Sequence, residues 1–168
     1  MSSPHSEPEV SARVVLLCGI SGSGKTYYAR KLEDKGYIRL SSDGIAWSRY
    51  GAALQAMSPE HQRVAFMEAA AEIDAELTRI IKEGGKAVVD ATHCKRTRRD
   101  ALRDMCREAG IEPDLVYMDA PLDLLVERMK HREGLGPDDQ IVSKERLFGF
   151  FNGFERPDED EKPLVVKQ

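Results

Sequence analysis

Five short apolar runs punctuate the chain, at residues 14–18, 37–40, 86–90, 115–119 and 163–167. Each is too short for a stand-alone helix and suits a buried strand. Between them the apolar spacing turns helical. Residues 24–35 predict a first helix, stopped at Gly36, where a left-handed residue is wanted. Ser58-Pro59-Glu60 opens a long helix to Lys82, with serine as cap and proline in the first turn. Its stripe reads Val64, Met67 or Glu68, Ala71, Ala75, Leu77 and Ile81, with Met67 taken as core, and Gly84-Gly85 closes it. Thr97 caps a further helix with Leu102, Met105, Cys106 and Ala109 inward, ended by Gly110. Pro121 opens another, with Leu122, Leu125, Val126 and Met129 inward, and a last helix is predicted over residues 138–151. Residues 44–59 read as irregular or weakly helical; Trp47, Arg49, Tyr50 and Met57 there suit either a substrate lip or a cover over the core. Strands alternating with helices imply parallel pairing, hence a three-layer α/β domain over residues 12–168. Residues 1–11 read as a disordered lead-in.

The first apolar run leads straight into Gly19-Ile20-Ser21-Gly22-Ser23-Gly24-Lys25-Thr26, the full phosphate-binding pattern G-x-x-x-x-G-K-[ST] in its strand–loop–helix setting. Glycines let the backbone turn tightly and point successive N–H groups at phosphate oxygens. Gly19, Ser21, Gly22, Ser23, Gly24, Lys25 and Thr26 are therefore the candidate nucleotide-binding residues. Lys25 is expected to bridge the outer phosphates and the Thr26 hydroxyl to ligate magnesium. Ligands in open α/β sheets bind beyond the carboxyl ends of strands. Asp43 follows the second strand and Asp90 ends the third, so both are placed near the loop, Asp90 as a second magnesium-side carboxylate. Lys95, Arg96, Arg98, Arg99 and Arg103 crowd the next helix start, as a solvated face or as a receiver for an anionic substrate. Residues 128–150 form a helix–loop–helix rich in arginine and glycine, as a lid over ATP requires, with Arg128 and Arg132 four apart. Their alternative partners are Glu127 and Glu133. Phe148, Phe151 and Phe154 either pack that helix down or flank a nucleotide base.

Composition narrows the classes. The 168 residues fit one domain, and the formal net charge of −4 offers no global attraction to nucleic acid. No stretch approaches a membrane span, and the first ten residues lack an apolar targeting core. Three cysteines and four histidines are not spaced as a disulfide framework or metal site, which points to a cytoplasmic protein. No obligate protein partner is evident, and no guanine-reading Asn-Lys-x-Asp is present.

GISGSGKT, the SSD ending in Asp43, the VVDAT ending in Thr92, the ERMKHRE helix and the late FNGFERP together resemble the small P-loop kinases of the polynucleotide-kinase type, with zeta-toxin-like relatives. The resemblance spans nearly the whole chain and implies a P-loop kinase fold, a parallel sheet of about five strands with a helical lid, and ATP with Mg²⁺ as cofactors. It makes Lys25, Asp43, Arg128 and Arg132 the catalytic candidates, with Asp43 as general base and Arg132 the better match to the lid arginine. Asp90 and Thr92 match the acceptor side, and His93 and Arg49 join them as substrate-binding candidates. Thr26 and Asp90 are the metal candidates. Two positions depart from the family: His93 stands where asparagine is frequent, and Ala46 where an arginine holds the substrate phosphate, leaving Arg49 nearest. The expected reaction is transfer of the ATP γ-phosphoryl group to a hydroxyl, with a 5′-hydroxyl polynucleotide end the leading acceptor. A small hydroxylated metabolite or sugar, and a non-catalytic ATP-dependent switch, are the alternatives.

Overall fold

The computed structural model describes residues 7–168. Strand β1 (Val14–Cys18) is fully buried along its whole length. It can be so apolar because both faces of the sheet are covered. Val14, Leu16 and Cys18 face one core and Val15 and Leu17 the other. Around it lie β2 (Ile38–Ser41), β3 (Ala87–Asp90), β4 (Asp114–Asp119) and β5 (Leu164–Lys167), all parallel, in the order β2-β3-β1-β4-β5. The strand order reverses beside β1, so the crevice for a ligand opens at its carboxyl end.

Helix α1 (Lys25–Glu33) packs Tyr28, Ala29 and Leu32 on one face. On the other lie α4 (Pro59–Lys82), through Ile73, Leu77 and Ile80, and α5 (Arg96–Glu108), through Leu102 and Cys106. Ser58 caps α4 and Pro59 begins it, as expected, but apart from Leu77 the buried stripe differs by a residue or more from the one read off the sequence. It runs Gln62, Ala65, Ala69, Ile73, Leu77 and Ile80, and leaves Val64 and Met67 exposed. An alanine-rich helix offers several near-equivalent apolar faces, and tertiary packing chose among them.

Residues 44–59 are helical after all, as α2 (Ser42–Tyr50) and α3 (Ala53–Ala56). Fully buried Ala46 and Leu54 pack against Ala65 of α4, so the segment covers the core. Helix α6 (Leu122–Met129) is followed by a 3₁₀ turn at Pro137–Asp139 and by α7 (Lys144–Gly153). The last helix therefore starts later than residue 138, at a turn capped by the Ser143 side chain. Phe151 and Phe154 pack with Ile20, Leu125 and Leu147, and Phe154 stacks on Tyr117 at 5.8 Å, so these rings hold α7 down. Of the lead-in expected to be disordered, residues 1–6 lie outside the described residues. Beyond them Glu7 pairs with Lys31, Tyr28 donates to the Pro8 carbonyl, and the Ser11 amide donates to Asp114. Among the described residues no helix is long and apolar enough to cross a membrane.

Candidate active site

The loop between β1 and α1 has the backbone that its glycines foretell. Gly22 and Gly24 sit at φ +87° and +95°, a region that side chains with a Cβ rarely adopt. Gly19 is required for closeness rather than for φ: a Cβ there would lie 2.6 Å from Ser23 Oγ and 3.0 Å from Met118 Cβ. Gly19→Ala is expected to lower stability by about 1–3 kcal/mol through overpacking, and to weaken nucleotide binding by displacing the loop. Thermal unfolding with and without nucleotide checks both; an unshifted melting temperature would mean that the contact relaxes freely. The Gly19 amide donates to the Thr92 carbonyl (3.1 Å), which ties the loop to the end of β3. Lys25 Nζ donates to the Gly19 and Ile20 carbonyls at 2.7 and 3.1 Å, arched over the loop. Burial lowers its pKa, against the pull of Asp90 and Asp43.

Asp43 stands in the first turn of α2, behind the N-cap Ser41, whose hydroxyl accepts from the Gly44 amide at 3.0 Å. Asp43 is exposed where it borders a cavity, and protein packs around the remainder of its carboxylate. That enclosure raises the carboxyl to about 6, against Lys25, with Asp90 adding to the rise and Arg132 opposing it. Gln140 Nε2 approaches Asp43 Oδ1 at 3.4 Å, and Arg132 Nη1 donates to the Gln140 carbonyl at 3.0 Å. Asp43 and Arg132 both line a cavity of about 590 Å³, which runs between α4, residues 91–95 and residues 140–153, and the Lys25 charge acts on Asp43 from the loop.

Asp90 ends β3 beside the loop, with its Oδ2 3.5 Å from Thr26 Oγ1. These are hard oxygen donors of the kind Mg²⁺ takes, usually with phosphate and water completing its shell. Asp90 Oδ1 has no hydrogen-bond partner among the described residues, so the pair fits a magnesium ion. A third participant has no signature in the sequence. Arg39 of β2 donates to Asp90 Oδ2 through Nε and Nη2 (2.9 and 2.7 Å), to Asp138 Oδ1 (2.8 Å) and to Thr26 Oγ1 (3.3 Å). It ties the 3₁₀ turn at Asp138 to Asp90 at the end of β3. Burial works against the Asp138 carboxylate, but Arg39 and Arg30 outweigh it and hold its pKa below the usual value. Gln55 of α3 is a second unforeseen fastening, donating to the Gly134 carbonyl (3.1 Å) and accepting from the Ile141 amide (2.9 Å).

Not every candidate joins this centre. Arg49 reaches Glu68 and Glu72 of α4 (3.1 and 2.5 Å) and lies outside the cavity, so it does not stand in for the arginine missing at Ala46. His93 is 6% exposed and its Nδ1 lies 2.5 Å from the Leu17 carbonyl. Burial pushes it down to about 4, so at neutral pH the ring is neutral and Nδ1–H donates to that carbonyl. Its Nδ1 clasps the post-β3 segment to β1, and the residue lines the cavity beside Thr92 as a neutral ring. Thr92 and Asp43 do line the cavity. Arg128 and Arg132 diverge because α6 ends between them. Arg128 donates to the Gly22 carbonyl (2.8 Å) and Gln168 Oε1 (2.9 Å), behind the loop, whereas Arg132 lines the cavity.

The basic helix start is also largely engaged. Arg96 pairs with Asp158 and Asp160, Arg98 chelates Asp74, and Arg99 is wholly buried against Glu161. Arg103 shares Glu161, and Lys95 meets Glu155 at 3.3 Å. An anionic strand would have to displace these carboxylates. Among the described residues no cluster of His, Cys, Asp and Glu could hold a metal on its own, and Cys18, Cys94 and Cys106 are free.

The profile of a family described as AAA domain matches residues 14–157. No curated protein sequence matches the chain significantly. Among solved structures, a sugar kinase from Janibacter sp. HTCC2649 superposes with a TM-score of 0.70 at 22% identity, over 94% of this chain and 86% of that one. A gluconokinase from Sinorhizobium meliloti 1021 gives 0.65 at 22% identity, over 92% and 81%. A chain of the Pnkp1/Rnl/Hen1 RNA repair complex gives 0.62 at 20% identity, over 90% of this chain and 46% of that one. At these identities the likeness is one of fold.

Proposed function

The chain belongs to the P-loop kinase family described as AAA domain, and from that premise we propose that it transfers the γ-phosphoryl group of ATP to the hydroxyl of a small molecule. The observation that carries this reading is the Asp43 carboxylate, which lines one cavity together with Arg132 and feels the Lys25 charge from the phosphate-binding loop. Phosphoryl transfer needs positioning and charge neutralisation more than covalent help. The amides of Gly22, Ser23 and Gly24 cradle the phosphates, and Lys25 exchanges its loop carbonyls for their outer oxygens. Thr26 and Asp90 hold Mg²⁺, which when bound neutralises charge on the phosphates. Asp43 accepts the proton of the attacking hydroxyl, and Arg132, carried by the lid, faces the transferring group. Arg39 keeps Asp90 and Asp138 in register, so that lid position and metal-side carboxylate are coupled. Three free thiols suit a reducing cytoplasm.

A 5′-hydroxyl polynucleotide end is the second reading, favoured by the fold likeness to the RNA repair complex. The engaged arginines of α5 and the apolar walls of the cavity weigh against it. Labelled ATP offered with 5′-hydroxyl RNA and DNA oligomers, and with a panel of hydroxylated small molecules, separates the two. Label is expected on small molecules, with little dependence on salt. Strong labelling of oligomer ends that falls steeply with salt would reverse the order, because strand binding releases counterions. Calorimetry with ATP and GTP tests the nucleotide, with ATP expected to bind more tightly.

A further inference from the structure

Of the large apolar side chains left exposed among the described residues, Met67 (58%), Ile141 (53%) and Phe150 (41%) all line the Asp43 cavity. Phe66, Ile73 and Val142 complete its walls. Exposed apolar groups converging on one concavity beside a base are a substrate surface rather than scattered surface residues. Several of the polar side chains in the walls are already committed. Gln55 holds the lid backbone at both ends of its amide, Gln62 donates to the Leu54 carbonyl, and Arg98 chelates Asp74. Along the apolar walls a polyol would find few uncommitted partners, and each buried hydroxyl left unpaired is unfavourable.

The remaining polar groups are unevenly placed. Helices α2 and α4 run antiparallel: Arg49 meets Glu68 and Glu72, while Gln62 reaches back to Leu54 beyond the end of α2. Asp43, at the start of α2, therefore lies towards the Ile73 end of α4, and Arg63 towards the other end. Ten residues of helix separate Arg63 from Ile73, roughly 15 Å. Arg63 makes only a 3.6 Å contact to Met67 Sδ, and Arg146 lies over the Phe150 ring. Neither has a carboxylate partner among the described residues, and both line the cavity. Asp43 is the sole carboxylate in its lining.

We infer that the acceptor is an amphipathic hydroxy acid: a small molecule with its hydroxyl at Asp43, a flat or extended apolar body along Phe66, Met67 and Phe150, and an anionic group at Arg63 and Arg146. The proposal rests on the kinase reading and sharpens it to a substrate class. The transfer balances without further reactants. The acceptor oxygen bonds to the γ-phosphorus, the bridging bond to the β-phosphate breaks, ADP leaves, and the hydroxyl proton passes to Asp43.

The test offers labelled ATP with 4-(hydroxymethyl)benzoate and 12-hydroxydodecanoate, their methyl esters, glucose, gluconate and a 5′-hydroxyl oligonucleotide. In parallel, saturation-transfer NMR measures binding of each compound with a non-hydrolysable ATP analogue present. Label is expected on at least one of the two acids, at about tenfold or more over its ester, in line with a charge-assisted contact. Arg63→Ala combined with Arg146→Ala is expected to bring that acid-to-ester ratio close to one, and Phe150→Asp to weaken both acid and ester. Preferential label on glucose, gluconate or oligomer ends would overturn the proposal and leave the kinase reading standing. Saturable binding of the acids without transfer would overturn the kinase reading, and the acceptor role with it, while showing that the cavity takes amphipathic acids. Acids that neither bind nor react, or an acid-to-ester ratio unmoved by the two arginine substitutions, would overturn the proposal outright.

Discussion

Asparagine at position 43 is expected to reduce phosphoryl transfer by about 10²–10⁴-fold while leaving nucleotide affinity unchanged. The substitution keeps the shape of the side chain and the first turn of α2, and removes only the capacity to take a proton. In the wild type, burial raises the carboxyl to about 6; Lys25 and Arg132 pull it down, and Asp90 and Asp138 push it up. A general base works only when deprotonated. The wild-type kcat/KM should therefore rise with pH to a plateau above about pH 6, falling about tenfold per unit below it. The variant should show the low rate at every pH, with no inflection near 6. Stability moves in the opposite sense. The folded state binds this proton more tightly than the unfolded state does, so the charged carboxylate weighs on the fold above pH 6, an effect that vanishes below about pH 4. Asp43→Asn should accordingly be slightly more stable than the wild type at pH 8, and equal to it in acid. Transfer at the wild-type rate, or the same pH profile in both proteins, would remove Asp43 from the mechanism.

What the sequence disclosed about this site is what local chemistry encodes. The loop needs glycines at particular positions and a lysine and threonine at its end, and each is written in consecutive residues. Asp43 and Asp90 were placed by a rule of sheet architecture, that strand ends face the ligand. What it concealed is what depends on partners distant in the chain. Arg39 sits at an unremarkable strand position, and its role exists only because Asp90 and Asp138 come to it from 51 and 99 residues away. The basic run from Lys95 to Arg103 gives no sign that Asp74, Asp158, Asp160 and Glu161 will engage it. Met67 shows the same limit for apolar residues. Helical spacing marks it as fit for a core, but only the packing of α4 decides that it faces the cavity beside Asp43.

The cavity floor is itself held by one of those hidden partners. Arg99 and Glu161 have no exposed side-chain surface, and the guanidinium also donates to the His93 and Glu155 carbonyls at 2.9 Å. It thus fastens both the segment after β3 and residues 155–161 to the start of α5. Burial works against the Glu161 carboxylate, but Arg99, the Asp158 amide and Arg103 more than offset it and hold the group at about 2. A pair this deep is weak evidence of net stabilisation over an apolar replacement, yet removing one partner leaves a buried, unpaired charge. Glu161→Gln is therefore expected to destabilise the fold by about 3–5 kcal/mol at pH 7, measured by urea unfolding. The depressed carboxyl contributes stability that is present above its unfolded value of 4.5 and is lost as pH falls toward 2. The gap between wild type and variant should consequently narrow across that window, while other carboxylates shift both curves together. Replacing both partners, as Arg99→Met with Glu161→Leu, should cost less than Glu161→Gln alone, because the wholly buried Arg99 charge goes with its partner and Arg103 keeps Asp100. A loss below about 1 kcal/mol for Glu161→Gln, the range of exposed ion pairs, would show that the pair does not hold the floor.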